Sequence, residues 1–544
     1  MNRDGCRWLY SLRARSPDRA TGRWLGAIIA VWAIVYLRRL TTALAVWDES
    51  IYAASARLLL RNGAVLTPHV QGGLGGVGPH LFLEKPPLAI WIQAVSIALL
   101  GPTEIAARLP SVLFVLGTAV LVFVLGRGVV SRRTGGFAAM VFLATPHLFE
   151  GMNGGRDGAT DPALVFFGTL ALAMLWFGLS EEREGYVVAA GAAGGLAALT
   201  KGIAVGTFAL AAIGLLVSFR RRVSFRAVLA GGGLAVLVGG WWPLLMWSRY
   251  GDAFVTSFLL DQVVSRASES SVAFGTAYFT TLPWSFGPWL YLLCPLAIAI
   301  GMAVRRSDDL QVRVFAGWLA CWAILVFGLF AVVGNHLWYV LPAYVPLSLL
   351  VGWGLALAVD GDRLARLGVA VGTLATLALS YRTQVVHYPV LVLGGGLLVV
   401  LAPTVAKYAA RLDERYPATL RVVATCWLVL FAVGLTAPMY EFGGAYGQRT
   451  VGQAVDAQVP EDATIHVGQH VGSGLYPLSF YAGRPFTAAN MSTLETDDRV
   501  RYALVTNGTE AQLQRAHTTV RGASTARGNW SVVAFRSSAV DTVQ

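Results

Sequence analysis

Only 3 of the 42 basic residues in this 544-residue chain are lysines, and charged residues of every kind make up just 13% of it. A soluble globular protein carries about 25% charge, so this supply cannot cover the surfaces of the several domains that the length would otherwise hold. Cysteine is rare too: Cys6 lies near the start, and Cys294, Cys321 and Cys426 lie in apolar stretches. That spacing excludes a disulfide framework and a cysteine metal site. There is no glycine period of the collagen kind, and no internal repeat is evident, which counts against a transporter built from inverted repeats. The excess is apolar, with 56% hydrophobic residues and a mean hydropathy of +0.59. Disorder is thereby excluded, and an all-α polytopic membrane protein is left.

A membrane helix needs roughly 20 apolar residues. Thirteen stretches come close enough: 24–46, 105–126, 135–150, 161–180, 186–200, 203–219, 227–248, 284–304, 312–333, 338–359, 364–380, 385–405 and 422–438. The segment 87–100 is apolar but has only 14 residues, and it reads as a helix lying in the interface or re-entering. With residues 1–23 as a basic cytoplasmic tail, the tail and inner loops hold 23 Lys plus Arg, the short outer segments 11 and the C-terminal region 8. Arg132, Arg133, Arg305, Arg306 and the run 220–222 are among the inner ones. This bias follows the positive-inside rule. It predicts a multi-pass protein of the cell membrane with a cytoplasmic N-terminus. The net charge of +12 is thus a topology signal, with no nucleic-acid partner implied. No small-residue cleavage site follows the basic tail, so the first span is expected to be retained.

The predicted organisation is the tail 1–23, a transmembrane catalytic domain 24–440 with a large first outer loop 47–86, and a soluble extracytoplasmic α/β domain 441–544. A second outer loop runs over 249–283. Strand candidates in the last domain are 464–467, 501–506 and 530–535, and Thr509 with Gln512 has the spacing of a capping box.

Charged groups near a bilayer are costly and usually functional. In the first loop, Asp48 and Glu49 follow Trp47 and precede an amphipathic helix closed by Asn62 and Gly63. Asp48 has two compatible readings, helix N-cap and catalytic carboxylate. Glu84 and Lys85 precede Pro86 and Pro87, whose fixed φ stiffens the turn. Lys85 and Lys201 are the two lysines predicted outside, and a compact ammonium suits a phosphate as a point charge. A snorkelling interfacial charge is the alternative for Lys201. Between the third and fourth spans, residues 154–161 contain Arg156, Asp161 and three glycines, with Pro162 next. Asp161 reads as a helix start or a site carboxylate, and the glycines as close backbone approach to a ligand. His336, before the last aromatic cluster, has two readings, a donor to a phosphate and a residue at a polar interface. A carboxylate base on the acceptor and fixed cations on a departing phosphate would together suit transfer from a phosphate donor. Asp48, Glu49 and Glu84 could also hold a divalent ion with water, although no cofactor is required.

These stretches resemble the membrane-embedded, lipid-sugar-dependent glycosyltransferases of the GT-C fold, in the group of the aminoarabinose transferases of lipid A and the protein O-mannosyltransferases. The likeness rests on W-D-E-S-I-Y-A-A-S-A-R at 47–57, L-E-K-P-P-L-A-I-W at 83–91, E-I-A-A-R-L-P-S at 104–111, G-R-D-G-A-T-D at 155–161, L-T-K-G at 199–202 and H-L-W-Y-V-L-P-A-Y-V-P at 336–346. It covers about residues 24–350 in order. The resemblance implies that Asp48 activates the acceptor, Lys85 engages the donor phosphate and Asp161 shapes the site. It also implies a donor sugar on a polyprenyl or dolichyl monophosphate, transferred with inversion to a lipid, glycan or protein among membrane lipids. His336, where many relatives carry Lys, and the glycine-rich stretch 71–78 depart from the pattern. A transporter or lipid-carrier flippase is the competing reading, and it would need ionisable residues deep within the spans.

Overall fold

A computed structural model describes residues 19–38, 40–71, 79–220, 222–265, 282, 285–333, 337–383, 445–467, 474–525 and 528–535. Among these, seven stretches are long and apolar enough to cross a membrane: Glu104–Val129, Asp161–Ser180, Glu184–Ser218, Phe225–Tyr250, Trp289–Arg306, Leu310–Phe330 and Trp338–Asp360. The predicted spans 385–405 and 422–438, and His336, lie outside the described residues, so the count of thirteen stays an expectation.

The first helix, α1 (Arg19–Tyr36), ends ten residues before the predicted limit of 46. The apolar run continues there, but the carbonyls of Leu40, Thr42 and Ala43 turn toward Arg108 instead of closing helical bonds. Helix α2 (Asp48–Asn62) fills the first loop and stops at Gly63, whose φ of +66 gives the left-handed cap that glycine allows. A short antiparallel ribbon, β1 (His69–Gln71) with β2 (Pro79–Leu81), follows. Helix α3 (Leu88–Leu100) has 13 residues, as expected of a non-spanning helix, and leaves Leu99 and Leu100 exposed at its end.

The bundle proper contains α4 (Glu104–Val129), α5 (Arg132–Leu143), the short α6 (Pro146–Glu150), α7 (Asp161–Ser180), α8 (Glu184–Lys201), α9 (Gly206–Ser218) and α10 (Phe225–Tyr250). It continues with α11 (Pro288–Arg306), α12 (Leu310–Val333), α13 (Tyr344–Asp360) and α14 (Arg363–Thr383). Thr103, Ser131 and Ser224 cap α4, α5 and α10 through their hydroxyls. Helix α13 lies deepest, packed on α5 and α11, where Gly352 lets the backbones approach. Trp176, Trp318 and Trp322 form a buried aromatic stack between α7 and α12. Helix α10 instead turns Leu229, Val236, Leu237 and Leu244 outward, as a lipid-facing helix does.

The C-terminal unit runs α15 (Tyr446–Gln458), β3 (Ile465–Val467), α16 (Leu475–Ala482), β4 (Phe486–Ala488), α17 (Met491–Thr496), β5 (Tyr502–Thr506), β6 (His517–Thr525) and β7 (Gly528–Phe535). Its five-stranded sheet has the order β4-β3-β5-β7-β6, parallel around β3 and antiparallel around β7. The three predicted strands are β3, β5 and β7. Thr509 does not start a helix: Thr506 caps the single turn Asn507–Glu510 by accepting from the Thr509 amide.

A Cβ on Gly352 would overlap the Ala138 backbone on α5. Gly352→Ala is therefore expected to destabilise the bundle by about 1–3 kcal/mol, seen as a lower melting temperature in detergent; an unchanged value would refute this packing.

Candidate active site

The site is built where α2, α4, α7 and α8 meet the loops of one membrane face. Its foundation is Arg108, near the start of α4. The guanidinium Nε and Nη2 donate to Glu49 at 2.5 and 2.9 Å. Nη1 gathers the carbonyls of Leu40 and Thr42, and Nη2 also reaches Ala43. The two Glu49 oxygens further accept the amides of Ala45 at 2.7 Å and Gly158 at 3.2 Å. A carboxylate has about four lone-pair sites, and all four are occupied here by the protein. Glu49 is thus a structural group and not a substrate or metal ligand, which corrects the expectation for it.

This clamp sets Asp48 one residue away. Asp48 opens α2 as its first helical residue, and no side chain caps the helix, so the N-cap reading fails. Instead, Asp48 Oδ2 accepts from Asn153 Nδ2 at 3.0 Å and lies 3.5 Å from the Tyr52 hydroxyl. Tyr52 is buried and its hydroxyl is pushed well up, first by burial, then by the carboxylates of Asp48, Asp161 and Glu84.

Asp161 opens α7 and does not cap it either. Its Oδ2 accepts from the ammonium of Lys201, at the end of α8, at 2.5 Å. Both side chains are buried, 5 and 6% exposed, so Lys201 is no snorkelling charge. Gly202 follows with φ +57, and a Cβ there would stand 3.7 Å from Pro86. The Lys85–Pro86 turn therefore abuts the end of α8, and Lys85, itself buried, acts electrostatically on Asp161. Asp48, Glu84, Lys85, Asp161 and Lys201 come together.

Arg156 goes elsewhere: its Nη groups donate to the carbonyls of Phe149 and Arg38, tying the 151–160 loop to the end of α1. The loop's glycines serve packing against the protein's own chain and not a ligand. A Cβ on Gly155 would collide with Val115, and one on Gly158 would sit 2.8 Å from Gln93. The trio Asp48, Glu49 and Glu84 forms no ion site, since Glu49 is taken by Arg108. Among the described residues no three His, Cys, Asp or Glu side chains gather as metal ligands.

Sequence reasoning gave no role to Arg108, Asn153, Asp157, Tyr52 or Tyr476. Arg108 had a signal, an arginine placed in an apolar helix that also held a motif. Tyr476 had none. It arrives from α16 of the C-terminal unit, is 8% exposed, and its hydroxyl is raised by burial and then by Glu84 and Asp48. Docking brings it there. Arg57 bonds Phe480 and Tyr481 carbonyls and Asp456, Arg61 bonds Gly483 and Glu461, and Gln71 exchanges two hydrogen bonds with the Phe486 backbone. Tyr481 accepts from the Leu44 amide and donates to Glu104.

Two stability predictions follow from this construction. Arg108→Met strands the buried Glu49 carboxylate and is expected to cost about 3–5 kcal/mol, with the double change that adds Glu49→Gln recovering much of the melting temperature. No recovery would show that the pair does not couple. Burial, then the Glu49 charge, push the Asp157 carboxyl from 3.8 up to about 7. Its stabilising contribution is therefore complete below pH 4, declines as the unfolded carboxyl ionises, and is gone above about pH 7. Asp157→Asn is expected to remove that decline, so the variant gains on the wild type in melting temperature between pH 5 and pH 8; parallel curves would refute it.

Residues 84–247 match the family model described as dolichyl-phosphate-mannose-protein mannosyltransferase. The undecaprenyl phosphate-alpha-4-amino-4-deoxy-L-arabinose arabinosyl transferase of Pectobacterium carotovorum subsp. carotovorum is 31% identical over 65% of this chain and 64% of its own. The transferase 1 of the same description from Sodalis glossinidius is 30% identical over 61% of this chain and 59% of its own. The chain thus spans less than two thirds of the length of these curated relatives. The crystal structure of ArnT from Cupriavidus metallidurans bound to undecaprenyl phosphate superposes with a TM-score of 0.67, covering 95% of this chain and 98% of that one at 20% identity. Matched along nearly its whole length, this multi-pass membrane protein has the GT-C fold.

Proposed function

We propose that the protein is a membrane glycosyltransferase that moves a sugar from a polyprenyl or dolichyl monophosphate to a lipid, glycan or protein acceptor on the outer face of the cell membrane. The observation that carries this reading is the junction of Asp48 with the Asp161–Lys201 pair and the Lys85–Pro86 turn, from segments far apart in sequence. In this reading Asp48 takes the proton from the acceptor hydroxyl or amine. Lys85 and Lys201 stabilise charge growing on the phosphate oxygen as the bond to the sugar carbon breaks. Asp161 fixes the direction of the Lys201 ammonium. Attack from the Asp48 side, opposite the departing phosphate, inverts the anomeric centre.

Beneath the Asp161–Lys201 pair, α7, α8, α9 and α10 border a partly open cavity of about 560 Å³ lined by apolar side chains and by glycines such as Gly168, Gly191 and Gly239. Small residues leave room there for a prenyl chain, and the headgroup end lies toward the lysines. The names of the relatives, and the lipid in the similar crystal structure, point to the same donor class. The outer placement is supported by the bundle itself. Arg133 pairs with Asp360, and Arg222 reaches Ser180, both at the helix ends opposite Asp161. That end holds the arginine-rich loops, and positive loops stay inside.

Asp48→Asn is expected to lower turnover by at least about a thousandfold, with fold and undecaprenyl phosphate binding retained. Purified protein is assayed with a panel of polyprenyl-phosphate sugars, headed by the 4-amino-4-deoxy-L-arabinose lipid, and the product's anomeric configuration is read by NMR. Near-normal turnover of the variant would remove Asp48 as the base, and a retained configuration would remove the single displacement.

A further inference from the structure

One buried side chain at the site has no part in the scheme so far. Asn153 is 1% exposed and has a φ of +58, in the left-handed region that few non-glycine residues occupy. Its side-chain nitrogen donates to Asp48 Oδ2 at 3.0 Å, and its backbone N–H donates to Asp157 Oδ2 at 2.8 Å. The loop around it has little room to shift, because a Cβ on Gly154 would lie 2.7 Å from the Gly151 carbonyl and one on Gly158 2.9 Å from that of Ala107. A tolerance of asparagine for left-handed backbone would account for the residue type. It would not account for an amide aimed at the one carboxylate that opens α2.

We propose that Asn153 is a positioning residue for Asp48: its amide holds one carboxylate oxygen, Asp157 holds Asn153 in its conformation, and the second Asp48 oxygen is thereby turned to the acceptor. This rests on the reading of Asp48 as the base. A donor on an ionised carboxylate is among the stronger hydrogen bonds, and it fixes the rotation of the group that carries it. The other groups facing Asp48 are Tyr52 on its own helix, Glu84 and Lys85 of the turn, Asp161 with Lys201 on α7 and α8, and Tyr476 of the C-terminal unit. None of these donors and charges is altered by a change at Asn153.

Asn153→Gly separates the two explanations, since glycine keeps the left-handed backbone and deletes only the amide. Full-length protein in detergent is compared with Asp48→Asn, using whichever polyprenyl-phosphate sugar of the panel the wild type turns over. For Asn153→Gly the expected result is a wild-type melting temperature and undecaprenyl phosphate affinity. Its kcat falls roughly tenfold to hundredfold while the KM for the acceptor stays at the wild-type value. Wild-type kcat, alongside an inactive Asp48→Asn, would overturn the proposal while leaving Asp48 as the base. A fall in kcat accompanied by a lower melting temperature or a raised KM would also overturn it, by reducing Asn153 to a packing residue. An active Asp48→Asn would remove both readings at once. Should Asn153→Gly not fold, Asn153→Asp keeps the shape and replaces the donor by a like charge; its kcat is then expected to fall at least as far with undecaprenyl phosphate affinity retained, and wild-type kcat would overturn the proposal.

Discussion

The buried ion pair of Arg108 with Glu49 holds together four pieces that would otherwise be independent: the turn after α1, the start of α2, the first turns of α4 and the loop before α7. Taking an arginine and a glutamate out of water is expensive, and their attraction offsets it only when every remaining donor and acceptor is met. Here the backbone supplies those partners, from Leu40, Thr42, Ala43, Ala45 and Gly158. The benefit is positional. Asp48 is covalently next to Glu49, so a group that is locked delivers its neighbour to the site with little freedom left.

The second constraint is that charge and apolar volume sit on either side of one level in the membrane. Asp161 and Lys201 terminate α7 and α8 where the helices leave the apolar region, and the cavity lies along the same helices below. An isolated ammonium at that depth would be costly. The contact with Asp161 offsets that cost and engages one N–H of the ammonium. For the proposed donor, an amphiphile with an anionic head and a hydrocarbon tail, this arrangement would offer adjacent surfaces for the two parts.

Much of this was legible in the residue pattern, and the failures are local. The short apolar segment at 87–100 is a 13-residue helix because it lacks the length to span, and the scarce lysines did mark two members of the cluster. Cap readings failed at Asp48 and Asp161 because a carboxylate's chemistry at a helix start can be satisfied by tertiary partners, Asn153 in one case and Lys201 in the other. Glu49 looked like a ligand since nothing local announces Arg108, 59 residues away, as its partner. Strand β6 escaped because His517–Thr525 is largely polar, paired on one side only and without a strong alternating pattern. Tyr476 could not be found at all, because its relation to Asp48 exists only through the docking of one folded unit on another.

That docking has a bearing on biogenesis. Residues 475–486, which bring Tyr476 beside Glu84 and lodge the Tyr481 hydroxyl between Leu44 and Glu104, leave the ribosome long after the helices that carry the carboxylates and lysines have been inserted. The wall of the pocket is therefore its last part to be made, and a nascent or shortened chain stays without it until residues 475–486 have been made and have closed onto α2.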